Sequence, residues 1–138
     1  MKTRTATAIW NGSGKDGNGK MSTQTGVLSN AQYSYKSRFE EGIGTNPEEL
    51  IAAAHAGCFS MKLSFILGAA GFTPDSIETK SEVTVDNGTI TTSKLTVRAK
   101  VPGIDEQKFQ QCVDEAKREC PVSKALKALE ITADAQLS

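Results

Sequence analysis

Residues 44–60 read GTNPEELIAAAHAGCFS and open a long apolar segment of the chain. Asn46 is a favourable N-cap, Pro47 fits the first helical position, and Glu49 completes a capping box. The segment therefore predicts a helix that runs to about residue 70. Nearly all faces of this helix are apolar, so we expect it to be buried on most sides.

The elements on either side of this helix are predicted from alternation, turn residues and caps. Strands are expected at residues 3–10, 21–28 and 33–39 as an antiparallel meander, at 76–85 and 89–100 as a hairpin around the tight turn Asp86-Asn87-Gly88, and at 130–137. Asp105 can cap a helix that runs to about Glu119, and a short helix follows at 121–129. The apolar face of the longer helix is formed by Phe109, Cys112, Val113 and Ala116. The order is βββ-α-ββ-αα-β, an α+β fold in a single domain over residues 1–138. Two small sheets cannot cover the apolar helix. We therefore predict an intertwined homodimer in which two such helices bury each other.

Composition narrows the class of function. The chain has 138 residues, with 16 basic and 16 acidic side chains, so no net charge draws it to nucleic acid or to an anionic membrane. Lys62 lies within the apolar helix and would cost about 3 kcal/mol at a bilayer centre, so a membrane span is not expected. The first residues contain no apolar stretch of the signal-peptide type, which predicts a cytoplasmic location where thiols stay reduced.

No cofactor or metal is predicted. Gly12, Gly14 and Gly17 match the spacing of a dinucleotide-binding loop, but that loop must lead into a helix, and here a strand is expected to follow. The chain has one histidine and no Cys-x-x-Cys spacing, which argues against a metal centre.

Three cysteines carry the candidate chemistry. Cys112 lies on the apolar face of its predicted helix and is expected to pack as a small hydrophobic side chain. Cys120 immediately precedes Pro121 at an N-cap position, where a helix N-terminus favours a thiolate. Cys58 lies inside the apolar helix, where burial raises the pKa of a thiol, so it needs a nearby cation to become a nucleophile.

Arg38 is the best candidate for that cation. It is expected on the predicted strand at residues 33–39, on the face opposite Tyr33 and Tyr35, and its planar guanidinium can bind a thiolate and a carboxylate together. Glu48 or Glu49 could hold the arginine, and Glu48 is freer because Glu49 belongs to the capping box. Glu48 precedes Cys58 by ten residues, which is about 15 Å along a straight helix. One arginine can therefore bridge Glu48 and Cys58 of the same chain only if the helix breaks. Contact across a dimer interface would avoid this problem.

Two other functions are compatible with the same residues. In a non-catalytic small-molecule or stress-binding protein, Cys58 would simply be buried. In a Cys–His hydrolase, His55 would act as the base, since it precedes Cys58 by three residues and shares its helical face.

The segment GTNPEELIAAAHAGCFSM at 44–61, with CPVSKAL at 120–126, resembles the osmotically inducible protein C (OsmC) family, relatives of the organic hydroperoxide resistance (Ohr) proteins. RFE at 38–40 and VPGID at 101–105 extend the resemblance over nearly the whole chain. It implies an intertwined homodimer with two long central helices between two six-stranded antiparallel sheets. It also implies a thiol-dependent peroxidase, most active on organic hydroperoxides and less active on hydrogen peroxide.

The resemblance assigns roles by position. Cys58 corresponds to the nucleophile, Cys120 to the resolving cysteine, and Glu48 to the acidic residue after Asn-Pro. The glycine-rich loop lacks the arginine of the Ohr branch, so that role falls to Arg38, as in the OsmC branch. The implied cycle passes through a Cys58 sulfenic acid and a Cys58–Cys120 disulfide.

The resemblance further suggests that no cofactor is required and that a dithiol of the lipoyl type is the reductant. The expected partners are therefore a second copy of the chain, the hydroperoxide and the dithiol. Phe39, Phe59 and Met61 are the apolar neighbours expected to accept the organic part of the substrate.

Overall fold

A computed structural model describes all 138 residues. Its elements are β1 Ala6–Asn11, β2 Asn18–Thr23, β3 Ala31–Tyr33, α1 Tyr35–Phe39, α2 Pro47–Ala69, β4 Ser76–Asp86, β5 Thr89–Lys100, α3 Glu106–Glu119, α4 Pro121–Ala125 and β6 Glu130–Leu137. The α+β class is confirmed. The chain divides into two compact units, Met1–Leu50 and Ile51–Ser138, and a single domain over the whole chain stays a prediction.

The first unit contains an antiparallel sheet in the order β1-β2-β3. The prediction of a third strand over residues 33–39 is wrong beyond Tyr33, because helix α1 begins two residues later. A capping box explains the change: the Ser37 N–H donates to Ser34 Oγ at 3.2 Å, and the Ser34 N–H donates to Ser37 Oγ at 2.8 Å. These local bonds favour a helical turn over the extended conformation that the alternation indicated. Arg38 therefore lies on a helix and not on a strand.

The second unit is built on the β4–β5 hairpin. Asn87 and Gly88 both have positive φ angles, 49° and 76°, as a two-residue turn matched to the strand twist requires. Strand β6 pairs with β5 in parallel, with Thr92 opposite Glu130. The expectation of purely antiparallel sheets is therefore wrong here: β6 reaches the sheet through α3 and α4, and such a crossover permits parallel pairing.

The two longer helices begin as predicted. At α2 the Glu49 N–H donates to Asn46 Oδ1 at 2.8 Å, but the Glu49 carboxylate accepts from the Thr45 hydroxyl and so completes only half of a capping box. At α3 the Lys108 N–H donates to Asp105 Oδ1 at 2.7 Å. The predicted apolar face of α3 is buried; its residues are Phe109, Cys112, Val113 and Ala116. Helix α4 ends at Ala125, four residues earlier than expected.

Within the second unit, α2 buries one face and exposes the opposite one. The buried residues recur every fourth position: His55, Phe59, Leu63 and Leu67. On the opposite face Met61 is 65% exposed and Phe65 is 69% exposed, so a single chain does not bury this helix on most sides. By length and composition alone α2 could cross a membrane, a test that core helices of soluble proteins also pass.

Candidate active site

The structure brings the two predicted redox cysteines together. Cys58 lies in α2, and Cys120 is the residue that precedes α4. The two thiols are neighbours, close enough for the Cys120 side chain to raise the pKa of Cys58, and neither is in a disulfide. Cys120 is fully buried, whereas Cys58 is partly exposed. The structure therefore places the two thiols near each other, as disulfide formation requires.

Nothing in the second unit turns Cys58 into a thiolate at neutral pH. Burial raises the pKa of the Cys58 thiol above its ordinary value of 9.0, and the hydrogen bond with Cys120 raises it further. The backbone N–H of Val122 donates to Cys58 and lowers the pKa of the thiol, and the positive charge of Lys62 lowers it by a smaller amount. The raised pKa means that activation of Cys58 needs a further cation.

The first unit holds the predicted arginine and carboxylate as an ion pair. Arg38 Nε donates to Glu48 Oε1 at 2.8 Å. Glu48 is only 7% exposed, whereas the Arg38 side chain is 42% exposed. Glu49 is engaged elsewhere, but by the Thr45 hydroxyl and not by the N-cap N–H of the predicted capping box. The second carboxylate oxygen, Glu48 Oε2, is buried without a hydrogen-bond partner.

An aromatic cavity of about 280 Å³ adjoins Arg38 in the first unit. Its lining residues are Trp10, Gly14, Tyr33, Ser34, Tyr35, Arg38 and Phe39. The Arg38 guanidinium carbon lies 4.9 Å from the centre of the Phe39 ring. Sequence reasoning singled out Phe39 but missed Trp10, since nothing local indicates that β1 lies beside this helix. Phe59, also expected to accept substrate, is 0% exposed in the core and cannot do so.

His55 is fully buried and both of its ring nitrogens are occupied. Its Nδ1 lies 2.6 Å from Ser93 Oγ, and its Nε2 lies 2.8 Å from Ser123 Oγ. Burial lowers the pKa of this imidazole below its ordinary value of 6.5. Because neither nitrogen is free to take a proton from Cys58, the structure contains no Cys–His pair of the hydrolase type. Sequence reasoning missed both serines, which no spacing rule connects to the histidine.

The α+β scaffold thus holds two free thiols side by side, an arrangement typical of thiol redox proteins. No three His, Cys, Asp or Glu side chains cluster closely enough to hold a metal ion. The absence of a cofactor stays a prediction.

The chain belongs to the OsmC family, whose model, described as OsmC-like protein, matches residues 40–134. It is 52% identical over 134 residues to peroxiredoxin OsmC of Escherichia coli, covering 94% of this chain and 93% of that one. It is 32% identical over 112 residues to organic hydroperoxide resistance protein OhrB of Bacillus subtilis, covering 78% and 80%. The crystal structure of an OsmC-like protein from Mycoplasma pneumoniae superposes with a TM-score of 0.77 at 14% identity, over 99% and 97% of the two chains. The chain is thus an enzyme of the peroxidase type, as the sequence predicts.

Proposed function

We propose that the enzyme reduces organic hydroperoxides to alcohols, and hydrogen peroxide less well, through Cys58 and Cys120. The proximity of the two free thiols is the observation that carries this proposal. It places a second thiol where an oxidised Cys58 could be resolved. The substrate class is supported by the name of the Bacillus subtilis relative, an organic hydroperoxide resistance protein.

The chemistry needs two thiols and no cofactor. The Cys58 thiolate attacks the distal oxygen of ROOH; an S–O bond forms, the O–O bond breaks, and the alkoxide takes a proton to leave as ROH. The sulfur of Cys120 then attacks the sulfur of the Cys58 sulfenic acid; an S–S bond forms, the S–O bond breaks, and the displaced hydroxide leaves as water with the proton of the Cys120 thiol. An external dithiol, which we propose to be of the lipoyl type, reduces the disulfide by exchange.

Arg38 is proposed as the cation that activates Cys58. Burial raises the pKa of the thiol, and the nearby positive charge of Lys62 does not reverse that effect. Glu48 orients Arg38 through the 2.8 Å bond to Nε, which leaves the terminal nitrogens for the thiolate and the peroxide. Ten residues of α2, about 15 Å, separate Glu48 from Cys58. We therefore assign Arg38 to the Cys58 of a second chain.

The exposed face of α2 supports the proposed intertwined homodimer. Met61 and Phe65 are large, apolar and mostly exposed on this face. A Cβ added at Gly57 or Gly68 would meet nothing within 4 Å, so the helix surface is open between them. Two copies of α2 packed through these faces would remove this apolar surface from water.

A cytoplasmic location, also proposed, fits three cysteines that are all free.

The aromatic cavity beside Arg38 is the proposed site for the organic group of the substrate. Its walls are mostly rings and its one charged side chain is the arginine. Apolar walls with a single orienting cation suit a hydroperoxide that carries an aryl or alkyl group. Hydrogen peroxide has no organic group that could pack against these walls, so it is expected to react less well.

Intact mass after one equivalent of cumene hydroperoxide tests the proposed cycle. We expect the loss of two hydrogens, and peptide mapping should link Cys58 to Cys120. Cys58→Ser should lose turnover, Cys120→Ser should stop at the sulfenic acid, and Cys112→Ser should behave as the unmodified enzyme. Full turnover by Cys58→Ser would overturn the mechanism.

Turnover with different substrates and reductants tests the specificity. Cumene hydroperoxide should be reduced faster than hydrogen peroxide, and a dithiol should support turnover better than a monothiol at equal thiol concentration. Equal rates with both peroxides would contradict the assigned substrate class.

A further inference from the structure

Two side-chain contacts join α2 to the segment that begins α4. One is the interaction between the neighbouring Cys58 and Cys120 thiols. The other joins His55 Nε2 to Ser123 Oγ at 2.8 Å. His55 precedes Cys58 by three residues, and Ser123 follows Cys120 by three. The two contacts are therefore about one helical turn apart on facing segments of opposite direction.

The histidine contact is anchored to the sheet. Ser93 Oγ of β5 lies 2.6 Å from His55 Nδ1 and 3.1 Å from Ser81 Oγ of β4. His55 and Ser93 are fully buried, and Ser123 is 4% exposed. A neutral imidazole donates at one nitrogen and accepts at the other, so the ring connects β5 to α4 in a fixed orientation. Because the site is buried, water cannot readily replace a lost partner.

We propose that His55 is a positioning residue that holds α4 so that Cys120 can resolve the sulfenic acid at Cys58. This role rests on the proposed function, since it concerns the disulfide-forming step. We name the His55–Ser123 contact, with its anchor at Ser93, the histidine clamp. The clamp touches neither the peroxide nor the reacting sulfurs.

Oxidation of Cys58 explains why a second contact is needed. The oxygen added to Cys58 changes its interaction with Cys120, so that interaction alone is not expected to hold α4 during the next step. Helix α4 is only five residues long and starts at a proline that lacks an N–H. The clamp lies one turn away and is unaffected by the added oxygen. It therefore keeps Cys120 close while the S–S bond forms and water leaves.

The clamp affects the competition between two fates of the sulfenic acid. Cys120 converts it to a disulfide, which the dithiol reduces. A second hydroperoxide converts it to a sulfinic acid, as an S–O bond forms and ROH leaves, and this product is irreversible in most proteins. Slower resolution therefore increases the sulfinic fraction without changing the first reaction with peroxide.

Ser123→Ala tests the clamp by removing one hydroxyl. Rapid quenching with dimedone measures formation of the sulfenic acid, and intact mass measures the disulfide. We expect an unchanged rate of sulfenic acid formation and a disulfide rate about tenfold lower, the effect of one buried hydrogen bond. With excess cumene hydroperoxide, the species that has gained two oxygens should increase. Ser123→Thr, which keeps a hydroxyl, should restore the disulfide rate.

Ser60→Ala is the matched control. Ser60 also lies in α2 and its hydroxyl donates at 2.7 Å to Thr79 Oγ1 of β4, so it contacts the sheet but not α4. We expect this variant to resolve the sulfenic acid at the unmodified rate.

Three results would overturn the clamp. An unchanged disulfide rate in Ser123→Ala would do so directly. An equal slowing of both steps, with a matching loss of thermal stability, would show a general structural effect. If the unmodified enzyme forms no Cys58–Cys120 disulfide, the proposed function fails and the clamp fails with it. Since the first two results require a disulfide in the unmodified enzyme, the two failures are distinguishable.

Discussion

The backbone N–H of Val122 donates to the thiol of Cys58. Pro121 occupies the first position of α4 and has no N–H, so Val122 supplies the first available donor of that helix. The Cys120 side chain itself makes no cap hydrogen bond. The N-terminus of α4 thus favours the thiolate form of Cys58, the proposed nucleophile, whereas the sequence pattern predicted that it would favour a thiolate at Cys120. Burial still outweighs this bond, which is why activation by a cation is required.

Arg38→Ala should raise the apparent pKa of Cys58 and lower peroxidase turnover at neutral pH. Removing the only cation assigned to the thiolate leaves burial and the Cys120 hydrogen bond, both of which favour the neutral thiol. The pH profile of alkylation of Cys58 measures this pKa, and we expect turnover to fall at least tenfold, which corresponds to about 1.4 kcal/mol. Arg38→Lys should be intermediate because it keeps the charge but not the planar fork.

Arg98→Ala is the control for a general change in charge, since Arg98 is exposed on β5. Its alkylation profile should match that of the unmodified enzyme. An Arg38→Ala profile that also matches would remove Arg38 from the mechanism.

Glu48→Gln should partly restore the stability lost in Arg38→Ala. Without its partner, the buried Glu48 carboxylate keeps a charge and already has one oxygen without a hydrogen bond. An unpaired buried charge is costly, whereas a neutral amide is less so. Urea unfolding of the two single variants and the double variant measures the coupling. We expect the double variant to be more stable than Arg38→Ala by about 1 kcal/mol; a double variant less stable than either single one would contradict this account.

The stability of the protein should fall as the pH drops below 6.5. Burial lowers the pKa of folded His55 below its ordinary value of 6.5, and both of its partners are uncharged serine hydroxyls. Between these two pKa values the unfolded chain binds the proton and the folded chain does not, so the free energy of unfolding decreases with decreasing pH. The loss should continue until the pH reaches the folded pKa. Urea unfolding at a series of pH values measures it.

His55→Gln provides the control, because it is uncharged and the chain has no other histidine. The slope below pH 6.5 should flatten in this variant. If the slope persists, another group is responsible for it.

Local signals in the sequence were sufficient for most elements. The Asn46 cap, the Asp86-Asn87-Gly88 turn and the Asp105 cap each depend on residues within a few positions, and each predicted element is present. The prediction of a third strand beyond Tyr33 was wrong because of another local signal. Ser34 and Ser37 form a capping box, which overrides the alternation around them. Parallel pairing of β6 depends on a crossover, which no local signal encodes.

The candidate site divides in the same way. Sequence motifs predicted four of the site residues: Cys58, Cys120, Arg38 and Glu48. The structure brings them together as two pairs, thiol with thiol and guanidinium with carboxylate. Ser93 and Ser123 lie 38 and 68 residues from His55 in sequence, so only the fold reveals their contacts. The aromatic cavity likewise depends on Trp10 meeting Tyr33, with ring centres 5.3 Å apart.

Phe65→Glu should convert the proposed homodimer to a monomer. Phe65 is 69% exposed on the apolar face of α2, and burying a carboxylate between two such faces would be strongly unfavourable. Sedimentation measures the mass, and peroxidase turnover should fall with it because the assigned Arg38 comes from the second chain. Val27→Glu, at an 85% exposed position outside this helix, should leave the mass unchanged. A monomeric unmodified protein would contradict the dimer.

A mixture of two inactive variants should recover activity if Arg38 acts across the dimer. Arg38→Ala keeps Cys58, and Cys58→Ser keeps Arg38, so a heterodimer of the two contains one complete site only when the arginine reaches the other chain's cysteine. Unfolding and refolding the variants together, then separating the heterodimer by a tag, gives a sample whose turnover can be compared with either parent. The double variant Arg38→Ala, Cys58→Ser refolded with the unmodified chain is the matched control: its heterodimer has no complete site in the crossed arrangement and one in the uncrossed arrangement. Recovery in the first mixture with none in the control heterodimer establishes the crossed arrangement, and the reverse result assigns Arg38 to its own chain.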